Sequence, residues 1–229
     1  MDTYIVGSED LIPQCLAFGI EPERVHATGI PIHTDFFVKH DKKQLREQLG
    51  LDPDLPVILL MGGGLGMGPL DTLLEILGSC SYQLICVAGA NAALQEKLEK
   101  LAQGISCRVK IYGFVDNIHQ LMAASDLMVG KAGGLACAEA MALGLPMFIV
   151  DPLPGQEERN TEFMTAAGAG VRVNASNLAS AIKECFEEPA RIEKMARAAA
   201  AHGRPNAAYD AIALMAQAME DVALDKVNY

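Results

Sequence analysis

Between residues 57 and 173 the chain repeats one unit: a short apolar run, a glycine-rich or polar turn, then a helical stretch. The strand runs are at 57–61, 83–88, 108–111, 127–129, 147–150 and 170–173, apolar throughout at 57–61, 127–129 and 147–150, and the helices are at 69–77, 92–102, 118–124, 135–143 and 157–167. Runs that are apolar throughout, without polar alternation, belong to strands covered on both faces. Strands that alternate with helices must join in parallel, through right-handed crossovers. The expected fold is therefore α/β, a Rossmann-like doubly wound parallel sheet. Residues 177–221 then turn helical only, with Leu178, Ile182 and Phe186 at helical spacing and an alanine run at 198–201, so a helical C-terminal extension is expected.

The first forty residues do not share this rhythm. They read as a strand at 3–6, a helix at 9–18 with Pro13 in its first turn, a strand at 24–28 and a connector at 31–40. A helix at 42–49 follows, with Gly50 as its stop.

The net charge of -11 argues against a phosphate-backbone partner, so no nucleic acid is expected, and it disfavours general adhesion to an anionic membrane. Tryptophan is absent and aromatics make up 5% of the chain, too few for base-stacking recognition of single strands. The cysteines at 15, 80, 86, 107, 137 and 185 form no CxxC pair and no zinc spacing, and Cys86, Cys107 and Cys137 sit in or beside apolar segments. They read as buried free thiols in a reducing, cytoplasmic compartment. No signal peptide or spanning helix is expected. His26, His33 and His40 recur every seven residues, but Gly29 and Pro31 break any helix between them. No metal site is assigned, and His119 is expected on a helix surface.

Four segments carry candidate chemistry. The segment 61–68, Met-Gly-Gly-Gly-Leu-Gly-Met-Gly, lets backbone approach a ligand, with Gly63 and Gly64 as candidate phosphate contacts. It lacks the Lys-Ser/Thr of a P-loop, and the alternative is a tight strand-to-helix turn. In Tyr112-Gly113-Phe114-Val115, backbone groups can pair with a base edge, or the segment can serve only as helix cap and packed aromatic. Lys131, Gly133, Gly134 and Leu135 open a helix whose N-terminus suits a diphosphate, although Lys131 can equally solvate a strand end. Glu139, flanked by Ala138, Ala140 and Met141, is a candidate ribose acceptor, the alternative being a solvated helix face. Finally, Gln156, Glu157 and Asn160 follow Pro154-Gly155 at a helix start. They suit sugar hydroxyls or are simply an acid-rich first turn.

Lys131-Ala132-Gly133-Gly134, Glu139-Ala140, Gly144-Leu145-Pro146 and Pro154-Gly155-Gln156-Glu157 together resemble the donor domain of family 28 GT-B glycosyltransferases. The resemblance is to the monogalactosyldiacylglycerol synthase and processive diacylglycerol glucosyltransferase group. Thr28-Gly29-Ile30-Pro31-Ile32 with Phe36 looks like that group's interdomain hinge, Gly62 to Gly66 like its first glycine loop, and Tyr112 to Val115 like its uracil-contacting turn. One departure is Ala136, where the family usually has Thr.

The resemblance implies the donor-binding half of an inverting hexosyltransferase. Its donor is a UDP-hexose, with no cofactor and no metal, and its acceptor is a lipid such as diacylglycerol. Glu139 would hold the ribose, Gly133, Gly134 and Leu135 the diphosphate, and Gln156 and Glu157 the sugar. It further implies that residues 1–40 are the end of an N-terminal acceptor domain plus hinge, 41–204 the UDP-sugar-binding domain, and 205–229 a C-terminal helix. The catalytic base would lie outside this chain, and the complete enzyme would be peripheral at the membrane. A non-catalytic nucleotide-binding or regulatory module, the donor subunit of a split transferase, and a UDP-sugar epimerase are the competing expectations.

Overall fold

The computed structural model describes residues 3–78 and 81–227, with side chains through Met219. Cys80 and the last two residues of the expected C-terminal helix lie outside the described residues. The chain forms two compact units, Met1–Phe36 with Arg204–Tyr229, and Phe37–Gly203.

In chain order the elements begin with β1 (Tyr4–Val6), α1 (Ile12–Ala17), β2 (Val25–Ala27), α2 (Lys42–Gln48), β3 (Val57–Met61) and α3 (Leu70–Leu77). Next come β4 (Gln83–Val87), α4 (Ala92–Ala102), β5 (Val109–Tyr112), α5 (Ile118–Ala124), β6 (Leu127–Gly130) and α6 (Gly134–Ala142). The chain continues with β7 (Met147–Val150), α7 (Gln156–Ala166), β8 (Gly170–Val173), α8 (Leu178–Glu187), α9 (Pro189–His202) and α10 (Ala207–Val227). The predicted helix over 9–18 is divided: a 3-10 turn at Glu9–Leu11 precedes α1. Pro13 falls at the start of α1, where its missing N–H costs no helical bond. The connector also holds a 3-10 turn at Thr34–Phe37 that no period announced.

In the smaller unit, β1 and β2 pair in parallel, from Tyr4↔Val25 to Val6↔Ala27. Arg204 reaches Glu9 at 3.3 Å, both exposed, so this pair contributes little. Along α10, Ala207 and Ala211 are buried whereas Tyr209, Ile212, Met215 and Met219 are exposed, which leaves an apolar stripe in water.

In the larger unit six strands form one all-parallel sheet in the order β5-β4-β3-β6-β7-β8. This is the doubly wound order, in which the chain starts in the middle and winds outward both ways. Every residue of β3, β4, β6 and β7 is buried, as their largely apolar runs demanded, with Gln83 at the start of β4 as a buried polar residue. Alternation then divides the core between two layers. Ile58, Leu60, Leu84, Cys86, Val129 and Phe148 pack with α3, α4 and α8, through Leu73, Leu74, Leu98 and Ile182. Intervening residues such as Leu59, Ile85 and Met128 face the other layer, where α5 meets β3.

The five described cysteines are free, with Cys86, Cys137 and Cys185 buried and Cys107 half-buried. No helix among the described residues is long and apolar enough to cross a membrane.

One polar cluster fixes the amino ends of the central strands. Asp126, just before β6, accepts from Arg46 Nη2 at 2.5 Å, the Val57 N–H at 2.8 Å and Lys42 Nζ at 3.1 Å. Buried Arg46 also donates to the carbonyls of Ala124 at 2.9 Å and Pro53 at 3.2 Å. The cluster ties α2 to both central strands, β3 and β6.

A candidate functional site at the carboxyl edge of the sheet

β3 and β6 are neighbours, with Met61 opposite Gly130. The connection after β3 runs to β4 on one side, and the connection after β6 runs to β7 on the other. Two crossovers that diverge in this way leave a crevice at the carboxyl ends of the central strands. Both glycine segments singled out by sequence open there. At Gly130 a Cβ would lie 2.1 Å from the Met61 carbonyl oxygen, so the two strands approach too closely for any side chain.

The loop after β3 is folded on itself. Gly66 N–H donates to Gly63 O at 3.0 Å, and Met67 N–H to Gly62 O at 3.0 Å. Cβ atoms on Gly62 and Gly66 would each come within 1.9 Å of a carbonyl oxygen, of Met67 and Ala88 respectively. By contrast, Cβ atoms on Gly63 and Gly64 would meet nothing within 4 Å. The folded loop thus leaves no room for a side chain at Gly62 or Gly66, whereas the Cα atoms of Gly63 and Gly64 border open space.

Across the crevice, α6 starts at Gly134 after Gly133, whose φ of -66° and ψ of 142° are extended. No side chain caps this helix, and a Cβ at Gly133 would meet nothing within 4 Å. The leading N–H groups of α6 thus face open space with their partial positive charge. Lys131 runs along Gly68, its Cε 3.4 Å from where a Cβ would be, and its ammonium has no acidic partner among the described residues.

Glu139 lies on α6, half-buried. Its carboxylate has no hydrogen bond or ion pair among the described residues, and burial pushes its carboxyl up to about 7. On a solvated helix face the carboxyl would not be pushed up. A half-buried carboxylate without a partner is a functional-site signature, because the fold alone does nothing to stabilise its charge.

The loop from β7 to α7 carries the polar residues expected to meet a sugar. It contains Asp151 at φ 46° and Gly155 at φ 99°, the latter as helix cap. Gln156 is exposed. Glu157 uses one oxygen to accept the Leu153 N–H at 2.7 Å, which closes its own loop. It also lies near Cys137 of α6, where its charge adds to burial in pushing that thiol up to about 12. Asn160 does not point its amide nitrogen at solvent: Nδ2 donates to the Ala132 carbonyl at 2.8 Å. Sequence reasoning missed this link between the two loops, because nothing in the spacing of residues 132 and 160 announces it. Glu158 pairs with Arg172 at 2.6 Å.

β5 ends two strands from β3, roughly 10 Å away at ordinary strand spacing, on the same edge. Here Phe114 is 70% exposed, so it is not a packed aromatic, and Val115 is half-buried. Gly113 sits against Gln95 of α4, 2.3 Å from Oε1 to a would-be Cβ. Asn117 occupies the cap position of α5, but its side chain donates to Gln120 Oε1 at 3.0 Å instead of capping the helix. Leu65, Leu135 and Leu153 are also exposed, giving the crevice an apolar rim. His119 is half-buried and stacked on His40 at 6.1 Å between ring centroids, not free on a helix surface as expected.

A groove of about 650 Å³ elsewhere is lined by Pro56, Ile76, Tyr82, Lys183 and Phe186. It adjoins the amino ends of β3 and β4, at the opposite end of the sheet from every residue above.

Known proteins resemble the chain over most of its length. Chloroplastic monogalactosyldiacylglycerol synthase from Spinacia oleracea is 33% identical over 214 residues, covering 88% of this chain and 41% of that protein. Processive diacylglycerol beta-glucosyltransferase from Bacillus pumilus is 31% identical over 198 residues, covering 85% and 52%. The chain thus spans about half, or less, of the length of these relatives. UDP-GlcNAc 2-epimerase from Neisseria meningitidis, solved bound to UDP-GlcNAc, superposes with a TM-score of 0.69 at 19% identity, covering 94% of this chain and 61% of that one, a likeness of fold alone. The family model described as the glycosyltransferase family 28 C-terminal domain matches residues 38–211, and the chain belongs to that family.

Proposed function

We propose that this chain is the donor-binding half of a hexosyltransferase that uses a UDP-hexose and transfers the sugar, with inversion, to a lipid such as diacylglycerol. The observation that carries the reading is Glu139, a half-buried carboxylate without a protein partner, on the helix whose open N-terminus faces the crevice. A ribose supplies the two hydroxyl donors such a group lacks. The diphosphate lies against Gly63, Gly64 and the N–H groups of Gly133, Gly134 and Leu135, with the Lys131 ammonium beside it. The uracil meets the backbone of Gly113, Phe114 and Val115. Gln156 and the free oxygen of Glu157 hold the hexose hydroxyls, and Asn160 acts behind them.

As the glycosidic bond breaks, charge builds on the departing UDP. Preorganised N–H groups and an ammonium stabilise that charge without reorganising. Binding is therefore expected to persist in the chelator EDTA. The attacking hydroxyl is the lipid acceptor's own, and the base that deprotonates it is assigned to a part of the enzyme beyond this donor half. The complete enzyme works at the cytoplasmic membrane surface. The relatives' names support the lipid acceptor, since both denote diacylglycerol glycosylation.

Calorimetric titration of the chain with UDP tests the reading. Saturable binding, unchanged by EDTA and abolished in Glu139→Ala, is expected, with little or no hexose transfer to diacylglycerol by the chain alone. Absence of UDP binding would sink it.

Gly64→Ala provides a second check. Its Cβ meets nothing in the protein within 4 Å and its φ is not left-handed, so stability is expected to stay within about 0.5 kcal/mol. The methyl group projects into the space assigned to the diphosphate, so UDP affinity is expected to fall by about tenfold or more. Unchanged affinity in a folded variant would move the diphosphate away from this loop.

A further inference from the structure

Asn160 and Glu157 lie three residues apart on α7, and each grips a different loop of the crevice. Glu157 holds the Leu153 N–H of the loop preceding its own helix. Asn160 holds the Ala132 carbonyl, at the turn that opens α6. Ala132 is fully buried, so its carbonyl has no water as an alternative partner. The atom facing that carbonyl must be the amide nitrogen, since the amide oxygen has nothing to donate.

The consequence follows from peptide geometry. The Ala132 carbonyl and the Gly133 N–H belong to one planar trans peptide and point in opposite directions. Holding the carbonyl on its buried side aims the Gly133 N–H away from the core. Gly133 has no Cβ, and one built there would meet nothing within 4 Å, so the turn borders open space. Glycine leaves this peptide free to rotate, so the turn by itself does not fix the direction of the donor.

We infer that Asn160 is a positioning residue, which orients the Gly133 N–H toward the anionic group of the ligand from behind the turn, rather than a contact to the sugar. This rests on the nucleotide-diphosphate reading above. Glu157, on the same helix, holds the hexose loop in register with the phosphate turn, so α7 sets the spacing between the two halves of the donor site.

The test compares uridine, UDP and UDP-glucose binding to the full chain and to Asn160→Ala and Asn160→Asp. The second variant keeps the side-chain shape but cannot donate when ionised. UDP affinity is expected to fall by about tenfold or more in both, as for one lost hydrogen bond to a charged group. Uridine affinity is expected to stay within about twofold, because uridine has no phosphate to lose.

Unchanged UDP affinity with weakened UDP-glucose binding would make Asn160 a sugar contact and overturn the inference. Equal loss for uridine and UDP would reduce it to general loosening and overturn it as well. A readout without ligand separates this from failure of the donor reading itself. The NMR order parameter of the Gly133 amide is expected to drop from about 0.85 toward 0.6 in Asn160→Ala. An unchanged order parameter would overturn the inference even if the parent chain bound no UDP.

Discussion

Glu139→Ala is expected to weaken UDP binding by at least about 100-fold, since two hydroxyl hydrogen bonds to a charged acceptor contribute about 1.5–3 kcal/mol each. The same residue gives the site a pH dependence of known sign. Burial raises the Glu139 carboxyl to about 7, so the free site is largely protonated below neutrality. Ribose hydroxyls donate to the ionised form and favour it, so binding releases a proton. Affinity should therefore fall as pH drops below 7, by about tenfold from pH 8 to pH 6 from this group alone. The terminal phosphate of UDP also titrates near ~6, so the reference is Glu139→Gln, which retains that contribution and loses the other. Titration in buffers of different ionisation enthalpy measures the proton released. Equal release by the parent and Glu139→Gln would remove Glu139 from the site.

Stability should move the opposite way. A carboxyl whose folded pKa lies above its ordinary value of 4.5 costs the fold nothing at pH 4 and progressively more as pH rises through 7. Glu139→Gln is then expected to melt higher than the parent at pH 8 and alongside it at pH 4. A residue that strains the empty fold and strengthens the complex is what a site built for a ligand predicts, and thermal melts at the two pH values check it.

Asp126→Ala is expected to give the largest loss of stability, about 3–5 kcal/mol, because it leaves buried Arg46 without its carboxylate. The Val57 N–H at the start of the central strand loses its acceptor in the same change. For a chain of this size the melting temperature should fall by roughly 6–20 °C. Urea unfolding would show a lower midpoint with an unchanged slope. Asp126→Asn, which keeps one acceptor oxygen, should lose less. The cluster sits at the amino ends of the strands and the proposed UDP site at the carboxyl ends. The variant that remains folded should therefore bind UDP as the parent does. A loss below about 1 kcal/mol would show that the carboxylate does not hold α2 to the sheet.

The hydrophobic pattern already determined most of this architecture. Runs such as Val57–Met61 and Met147–Val150 have only one stable placement, inside a sheet covered on both faces, and helices between them leave parallel pairing as the only short connection. The glycine segments at 61–68 and 131–134, Glu139 amid alanines, and the polar turn at 154–157 were legible for the same reason: each is a residue type the local element does not need. What the sequence could not say is how side chains far apart along the chain divide their roles. It did not separate Gly62 and Gly66, where the folded loop leaves no room for a Cβ, from Gly63 and Gly64, which border open space, because only the surrounding carbonyls make that distinction. Nor did it show that one oxygen of Glu157 closes its own loop, that Asn160 reaches the Ala132 carbonyl, or that Glu139 has no protein partner. Element type follows from local periodicity, which a single chain carries. Whether a polar group is spent inside the protein or left over for a ligand depends on which groups the tertiary fold brings within about 3 Å of it.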